Sequence, residues 1–118
     1  MKTAIITGGT RGIGAGLVID FLRMGWNVAY SGTKESSIEK SLQSLSGKFR
    51  KENYVALKCE ITNEKDLNNL WESTVKAFGR VDIWVNNAGV ANEQTSFYQI
   101  PPEVFIKIIG TKQLLSIL

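Results

Sequence analysis

The sequence has 118 residues, which is enough for one domain, residues 1–118, around a single core and too few for two domains. Its net charge of +3 is too small to indicate nucleic-acid binding, and no apolar run approaches the roughly 18 residues of a membrane span, so we expect no membrane partner and a cytoplasmic location. One cysteine, Cys59, and no histidine exclude an internal disulfide, histidine-dependent serine or cysteine catalysis, and histidine-bearing zinc sites, which leaves no predicted metal site.

The first predicted elements are a strand, a glycine turn and a helix. Residues 4–6 are apolar without alternation, as expected of a strand near residues 3–7 that is covered on both faces. The glycines that follow, Gly8, Gly12 and Gly14, let the backbone turn sharply. A helix that begins near Ile13 directs unpaired N–H groups and the positive end of its dipole toward an anion. This arrangement predicts a phosphate-binding turn, and a tight turn without a ligand is the alternative.

The end of the second strand indicates which cofactor the turn binds. The first helix is expected to stop at Gly25, and a strand is predicted near residues 27–31. A unit that binds NAD carries an acid at this strand end, about 20 residues after the glycines, to hold the ribose 2′-hydroxyl. Here the sequence reads Ser31, Gly32, Thr33 and Lys34. Hydroxyls and a cation suit a 2′-phosphate, Arg11 in the turn adds a second positive charge, and Glu35 is interpreted as a first-turn charge of the next helix.

Two helices and two strands follow in alternation. A capping box of Ser36 and Glu39 is expected to open a helix that only packs. Its apolar stripe comprises Ile38, Leu42, Leu45 and Phe49. Residues 54–59 alternate and predict a half-exposed edge strand, in which Cys59 is a small buried hydrophobe. Thr62 or Asn63 is expected to cap a third helix that ends at Gly79, before a fourth strand near residues 81–86.

The last residues are expected to form a loop and a helix. Residues 90–100 are interpreted as the loop, and Pro101 and Pro102 suit the first turn of the helix. The inward face of this helix would comprise Val104, Phe105, Ile108 and Ile109. The strand at residues 81–85 then becomes an apolar sheet edge, and the apolar end of the chain has little to pack on. We therefore expect the free chain to self-associate, aggregate or pair with a complementary C-terminal fragment.

Two motifs resemble those of the short-chain dehydrogenase/reductase family. The first is T-G-x-x-x-G-x-G, which contains the three glycines of the turn, and the second is Asn86-Asn87-Ala88-Gly89. Each follows a predicted strand, and the resemblance spans residues 8–89. It implies an α/β fold of the Rossmann type, a three-layer sandwich whose parallel sheet has the strand order 3-2-1-4. It also implies that the 118 residues are a truncated half of such a domain, the part that binds the cofactor.

The resemblance gives further residues a role at the cofactor. In the family an acid and an apolar residue after the third strand hold the adenine, and Glu60 and Ile61 stand there, although Asp is the more usual acid. Asn87 is implied to tie the central strands together, and Ala88 and Gly89 to leave room for the cofactor. Together, the residues and the resemblance give the candidate cofactor-binding residues Gly8, Thr10, Arg11, Gly12, Ile13, Gly14, Ser31, Gly32, Thr33, Lys34, Glu60, Ile61, Asn87, Ala88 and Gly89.

The family's catalytic groups find no counterpart in this sequence. The resemblance implies hydride transfer between a nicotinamide and a carbonyl or alcohol, with a serine, a tyrosine as general acid/base and a lysine four residues later on the same helix. Tyr30 with Lys34 and Tyr54 with Lys58 match that spacing, but both pairs begin on predicted strands, where four residues span about 13 Å. We therefore predict no catalytic residue among these 118.

Two functions remain open at this point. The favoured one is an NADP(H)-dependent short-chain reductase, with NAD(H) as the less favoured cofactor, represented by its N-terminal part and inactive alone. Its substrate would be a small-molecule carbonyl or alcohol once the chain is complemented. The alternative is a non-catalytic nucleotide-binding or interaction module. A methyltransferase would need an acid at the end of the second strand, where Ser31 argues against it. A Walker-type NTPase is excluded because the loop contains no Gly-Lys-Ser/Thr sequence.

Overall fold

The computed structural model describes residues 1–87 and the strands at residues 105–109 and 114–117. In chain order the elements are β1 (Thr3–Thr7), α1 (Gly12–Arg23), β2 (Asn27–Gly32), α2 (Glu35–Leu45), a 3₁₀ turn (Lys51–Asn53), β3 (Tyr54–Lys58), α3 (Glu64–Phe78), β4 (Ile83–Asn86), β5 (Phe105–Ile109) and β6 (Leu114–Ile117). The described strands form one sheet in the order β3-β2-β1-β4-β5-β6. Strands β1 to β4 are parallel, which confirms the predicted Rossmann-type fold and the strand order 3-2-1-4.

Strand β1 is the centre of the parallel part of the sheet. All of its residues are buried, because β2 pairs with it on one side and β4 on the other, with Ile5 opposite Ala29 and Trp84. A strand that is covered on both faces has no need for polar residues in alternation, which explains its continuous apolar run. Because the four strands are parallel, their carboxyl ends meet at one edge of the sheet, where Rossmann folds bind their ligands.

Helices cover both faces of the sheet and give it two cores. Helices α1 and α2 pack on one face, around Val18, Leu22 and Tyr30. Helix α3 packs on the other face, where Leu70 and Cys59 are among the buried residues. The burial of Cys59, which is 2% exposed, confirms its predicted packing role. The fold therefore has the three layers that the sequence predicted.

The ends of α3 follow the predicted signals. Asn63 is the N-cap residue, and its Oδ1 accepts hydrogen bonds from Lys65 N at 2.9 Å and Asp66 N at 3.2 Å. Gly79 ends the helix with φ of 81°, in the left-handed region that glycine adopts without a steric penalty. Both ends of this helix are therefore determined by local sequence.

The predicted capping box at the start of α2 is wrong. The helix begins at Glu35, and its N-cap is Lys34, whose extended backbone continues from β2. Ser36 lies inside the first turn, so its hydroxyl is not in the position from which an N-cap side chain accepts a hydrogen bond. The predicted apolar stripe of this helix is confirmed for Ile38 and Leu45, which are buried, and for Leu42, which packs against the same core. Phe49 also packs there, but it lies beyond the end of the helix at Leu45.

The C-terminal strands also differ from the prediction. Residues 105–109, which were predicted to be helical, form β5, which pairs antiparallel with β4, and β6 pairs antiparallel with β5. The prediction that residues 81–85 form a free sheet edge is therefore wrong, because β5 provides backbone partners for β4. Isoleucine at three of the five β5 positions favours a strand beside an unpaired edge over the helix that the two prolines indicated. The predicted loop at residues 90–100 and Val104 lie outside the described residues.

Candidate functional site

The glycine turn connects the end of β1 to the start of α1. Gly8 and Gly12 have φ of 69° and 62°, in the left-handed region that a β-carbon disfavours. Arg11 has an extended backbone and is the N-cap residue of α1. The chain therefore leaves the sheet and enters the helix within residues 8–11, and the amino end of α1 stands at the carboxyl end of β1.

Two other glycines let the turn pack closely on its neighbours. A β-carbon at Gly14 would overlap the carbonyl oxygen of Gly8 and lie 2.8 Å from Asn87 Nδ2. A β-carbon at Gly9 would lie 2.7 Å from Tyr30 Cβ, whereas one at Gly16 would have no heavy atom within 4 Å. Sequence reasoning missed Gly9, although its place beside Gly8 in the turn was a signal for it.

Ser31 attaches the turn to the end of β2. Its Oγ accepts a hydrogen bond from Gly8 N at 3.3 Å, and its carbonyl oxygen accepts one from Gly9 N at 2.9 Å. The residue is 0% exposed, so its hydroxyl is engaged within the protein and does not face solvent. In this structure Ser31 therefore fixes the glycine turn, a role that the sequence argument about a 2′-phosphate did not include.

Asn87 attaches the turn to the end of β4. Its backbone N–H donates to Thr7 Oγ1 at 2.9 Å, and its side-chain Nδ2 donates to Gly8 O at 3.2 Å. Asn87 is 6% exposed, and these bonds connect the two central strands as the resemblance implied. Gly8 is thus held from β2 through its N–H and from β4 through its carbonyl oxygen. Ala88 and Gly89, the other candidates in this motif, lie outside the described residues.

The outer side of the turn faces solvent. Arg11, Gly12 and Ile13 are exposed, and the apolar Ile13 has an exposed fraction of 58%. Thr33 and Lys34, which follow β2, are exposed as well. Among the residues that the structure describes, none covers this part of the site, so it is open to a ligand.

Thr10 brings the two exposed segments together. The Thr10 side chain lies against Gly32, so close that a β-carbon at Gly32 would be 2.6 Å from Thr10 Cγ2. Arg11 follows Thr10 and Thr33 follows Gly32, so the two segments that carry Arg11 and Lys34 are adjacent. Glu35 is the first-turn acid of α2, as the sequence indicated. The edge of the site is therefore bordered by two cations.

The segment after β3 lies beside the end of β2. Cys59 N donates to Gly32 O at 2.9 Å, which holds the two strand ends together. Glu60 N donates to Asp66 Oδ2 at 2.9 Å, while Glu60 itself is exposed and Ile61 is half-buried. The backbone of this segment is therefore fixed while the Glu60 side chain faces solvent. Sequence reasoning missed Asp66, whose signal was an acid in the first turn of α3.

Among the residues that the structure describes, neither the buried Tyr30 nor the buried Cys59 belongs to a catalytic pair. Tyr30 begins one of the Tyr-x-x-x-Lys matches, and it lies on β2 with its hydroxyl 2.8 Å from Ser41 Oγ. Burial raises the pKa of Tyr30, which is the opposite of the lowered value that a general base of this kind needs. Burial also raises the pKa of Cys59, and the nearby carboxylates of Asp66 and Glu60 add to this, so its thiol is not a reactive thiolate.

The second match, Tyr54 with Lys58, occupies the two ends of β3. A strand separates such residues by about 13 Å, too far for a shared proton. Across the described part of the chain, no group of His, Cys, Asp and Glu side chains is arranged to hold a metal ion. Among the same residues, none of the helices has the length and apolar character needed to cross a membrane.

Comparison with known families identifies the fold's relatives. The family model described as short chain dehydrogenase matches residues 2–114. This chain belongs to the short-chain dehydrogenase family. Members of the family bind NAD(P)(H) and act on small-molecule carbonyls or alcohols.

Individual relatives agree with this assignment. A 3alpha-hydroxysteroid dehydrogenase from Mediterraneibacter gnavus is 34% identical over 108 residues, which are 92% of this chain and 43% of that protein. The solved apo-form of a glucose dehydrogenase from Caenorhabditis elegans is 31% identical, with a TM-score of 0.69 over 73% of this chain and 37% of that one.

A further solved relative contains a cofactor. A 3-ketoacyl-(acyl-carrier-protein) reductase from Brucella melitensis, solved with NADH, is 26% identical, with a TM-score of 0.61 over 70% of this chain and 32% of that one. The short-chain dehydrogenase chain described here thus spans less than half the length of each of these relatives.

Proposed function

We propose that this short-chain dehydrogenase chain is the cofactor-binding part of an oxidoreductase that uses NADP(H) with a small-molecule carbonyl or alcohol. One observation carries the proposal. Arg11 is the exposed N-cap residue of α1, the exposed Lys34 follows β2 by two residues, and β2 itself carries no acid. A phosphate-binding turn with positive charges at the ribose end suits a cofactor that bears a 2′-phosphate.

The pyrophosphate would be bound at the first turn of α1. The amides of Gly8 and Gly9 already donate to Ser31, so the donors would come from the residues that follow them. Gly12 and Ile13 are exposed there, at the positive end of the helix dipole. Ile13 is a large apolar side chain that the fold leaves open to solvent, and we assign it a contact with the bound cofactor.

The 2′-phosphate would be bound by Arg11, Thr33 and Lys34. Their exposed positions on adjacent segments give two positive charges and a hydroxyl, the partners that a phosphate prefers. A neighbour of the same fold was solved with NADH, so the fold alone does not select between the cofactors. The charges at this border are therefore what supports the NADP(H) preference.

The adenine would lie against the segment after β3. Glu60 has an exposed side chain and a fixed backbone, and Ile61 offers a half-buried apolar surface. Asn87 would act by holding Gly8 in place, and Ala88 and Gly89 would leave room for the cofactor. When bound, the nicotinamide accepts or donates the hydride, and the residues of this chain bind and orient the dinucleotide.

Turnover would need groups from outside this sequence. Neither Tyr-x-x-x-Lys match has the helical geometry that a proton relay requires. We therefore propose that the 118 residues are inactive alone and act together with a complementary C-terminal segment. Self-association of the free chain and a cytoplasmic location are further parts of this proposal, supported by its apolar C-terminal segment and its composition.

Calorimetric titration of the 118-residue chain with NADPH and NADH tests the cofactor assignment. We expect NADPH to bind at least about tenfold more tightly, because a charge-assisted contact to phosphate contributes roughly that much. Equal affinities would contradict the assignment.

A hydride-transfer assay separates the enzyme from the non-catalytic module. Mixed with a C-terminal segment that carries Tyr-x-x-x-Lys, the chain should consume NADPH with a carbonyl substrate, and a module without enzymatic function would not.

A further inference from the structure

The end of β2 carries a steric feature that the charge argument does not use. Gly32 is buried, and a β-carbon at this position would lie 2.6 Å from Thr10 Cγ2 and 3.1 Å from Ile38 Cγ1. The first distance is shorter than the separation of about 3.5 Å at which two carbon atoms make van der Waals contact, so the β-carbon would overlap Thr10 Cγ2. Any residue other than glycine at position 32 therefore requires the Thr10 side chain, or the backbone that carries it, to move.

The backbone around Gly32 has little freedom to move away. Its carbonyl oxygen accepts from Cys59 N at 2.9 Å, and it pairs with Lys58 in the ladder between β2 and β3. The preceding residue, Ser31, holds both Gly8 and Gly9 of the turn. A clash at position 32 must therefore be relieved by the side chain of Thr10 or by the glycine turn that carries it.

Position 32 is also where an NAD-binding unit of this type carries its acid. It ends the second strand, about 20 residues after the glycines, where Asp or Glu would bond the ribose 2′-hydroxyl. We infer that Thr10 and Gly32 form an interlocked pair that closes this position to an acidic side chain and so sets the specificity for NADP(H). Resting on the proposed function, this inference makes Thr10 and Gly32 specificity-determining residues in addition to the two cations.

The steric part is tested without any cofactor. Gly32→Ala adds only the β-carbon, and Thr10→Ser removes only Cγ2, the atom 2.6 Å from it. We expect Gly32→Ala to lower the urea midpoint of unfolding, and Thr10→Ser to restore at least about half of that loss in the double variant. Gly16→Ala is the matched control, because nothing lies within 4 Å of a β-carbon there, and it should not lower the midpoint. An unchanged midpoint for Gly32→Ala, or no restoration by Thr10→Ser, would overturn the interlock.

The specificity part is tested by titration with NADH and NADPH. Gly32→Asp alone should weaken NADPH binding at least about tenfold and leave NADH binding no tighter than in the unaltered chain. The double variant Thr10→Ser with Gly32→Asp should bind NADH at least about fivefold more tightly than Gly32→Asp does. Thr33→Asp places the same charge at the next, exposed residue and should weaken NADPH binding without lowering the urea midpoint.

A failure of the interlock and a failure of the proposed function would give different results. If Gly32→Asp alone gained NADH affinity, the interlock would be refuted while the proposed function stood. If the unaltered chain bound neither dinucleotide, the proposed function would fail while the unfolding cycle still decided whether Thr10 and Gly32 interlock. If Gly32→Asp does not fold, the double variant Thr10→Ser with Gly32→Asp still decides the question. A double variant that folds and binds NADH supports the interlock. A double variant that does not fold shows that Thr10→Ser does not relieve the clash, which refutes the interlock.

Discussion

The inner and outer sides of the glycine turn differ in what holds their residues. On the inner side, Gly8 is bonded to Ser31 and Asn87, and Gly14 packs on Gly8 without room for a β-carbon. On the outer side, Arg11, Gly12 and Ile13 are exposed to solvent. The inner side therefore determines the shape of the turn, and the outer side provides the charges that a ligand would contact. Substitutions on the two sides should consequently affect different measurements.

The largest effect is expected at Gly14. Gly14→Ala places a β-carbon on the carbonyl oxygen of Gly8, and overpacking of this kind costs about 3 kcal/mol of unfolding free energy. The alanine should therefore destabilise the chain and weaken cofactor binding together. Urea unfolding followed by circular dichroism measures the first effect, and Gly16→Ala on the same helix is the control. A stable Gly14→Ala protein would show that the inner side yields more easily than the packing indicates.

A smaller effect is expected at Ser31. Ser31→Ala leaves the partly buried N–H of Gly8 without its side-chain acceptor, and an unsatisfied donor of this kind costs about 1.5 kcal/mol. Ser36→Ala, at an exposed serine in α2, should change the unfolding free energy by less than about 0.5 kcal/mol. If both variants unfolded alike, the hydroxyl of Ser31 would not be what fixes the turn.

On the outer side, Arg11→Ala should alter binding and not stability. The loss of its charge is expected to weaken NADPH about tenfold and NADH by less than about threefold, because only NADPH carries the 2′-phosphate. The thermal midpoint without cofactor should stay where it is, since Arg11 is exposed. Arg23→Ala, at the far end of α1, removes the same charge away from the turn. Equal losses for both cofactors would refute a 2′-phosphate contact of Arg11.

The smallest effect is expected at the opposite end of β1. Asp82 Oδ2 accepts from Thr3 N at 2.9 Å, and Arg80 forms an ion pair with the same carboxylate at 2.6 Å. Burial alone would raise the pKa of Asp82, but the hydrogen bonds from Arg80 and Thr3 N outweigh it and hold this pKa below its ordinary value. Asp82→Asn should therefore cost about 1 kcal/mol at neutral pH.

The contribution of Asp82 to the free energy of unfolding should decrease as the pH falls. A carboxyl group whose pKa is lower in the folded than in the unfolded chain stabilises the fold at pH values above its unfolded pKa of about 3.9. This stabilisation is lost as the pH falls through the pKa of the folded chain. The difference in unfolding free energy between the unaltered chain and Asp82→Asn should therefore shrink from about pH 5 downward. Asp20→Asn, at an exposed acid on α1, is the control for general charge effects. A difference that grew on acidification would contradict the assigned partners of Asp82.

The sequence predicted the parallel half of the fold well, because its signals are local. The apolar run of β1, the cap at Asn63 and the stop at Gly79 are each set by a few neighbouring residues, and each is confirmed. The C-terminal region was mispredicted for the opposite reason. The two prolines indicated a helix, whereas residues 105–109 pair with β4, a partner about 20 residues away.

The sequence by itself determined the turn, its glycines and the charges on its outer side, since these depend on residue type and short spacing. Tertiary structure alone decided that Ser31 faces Gly8, that Asn87 reaches its carbonyl oxygen, and that Thr10 lies against Gly32. These contacts join residues separated by about 20 to 80 positions, which meet only because parallel strands bring their carboxyl ends to one edge of the sheet. No local pattern encodes such a meeting, and the packing of the strands had to supply it.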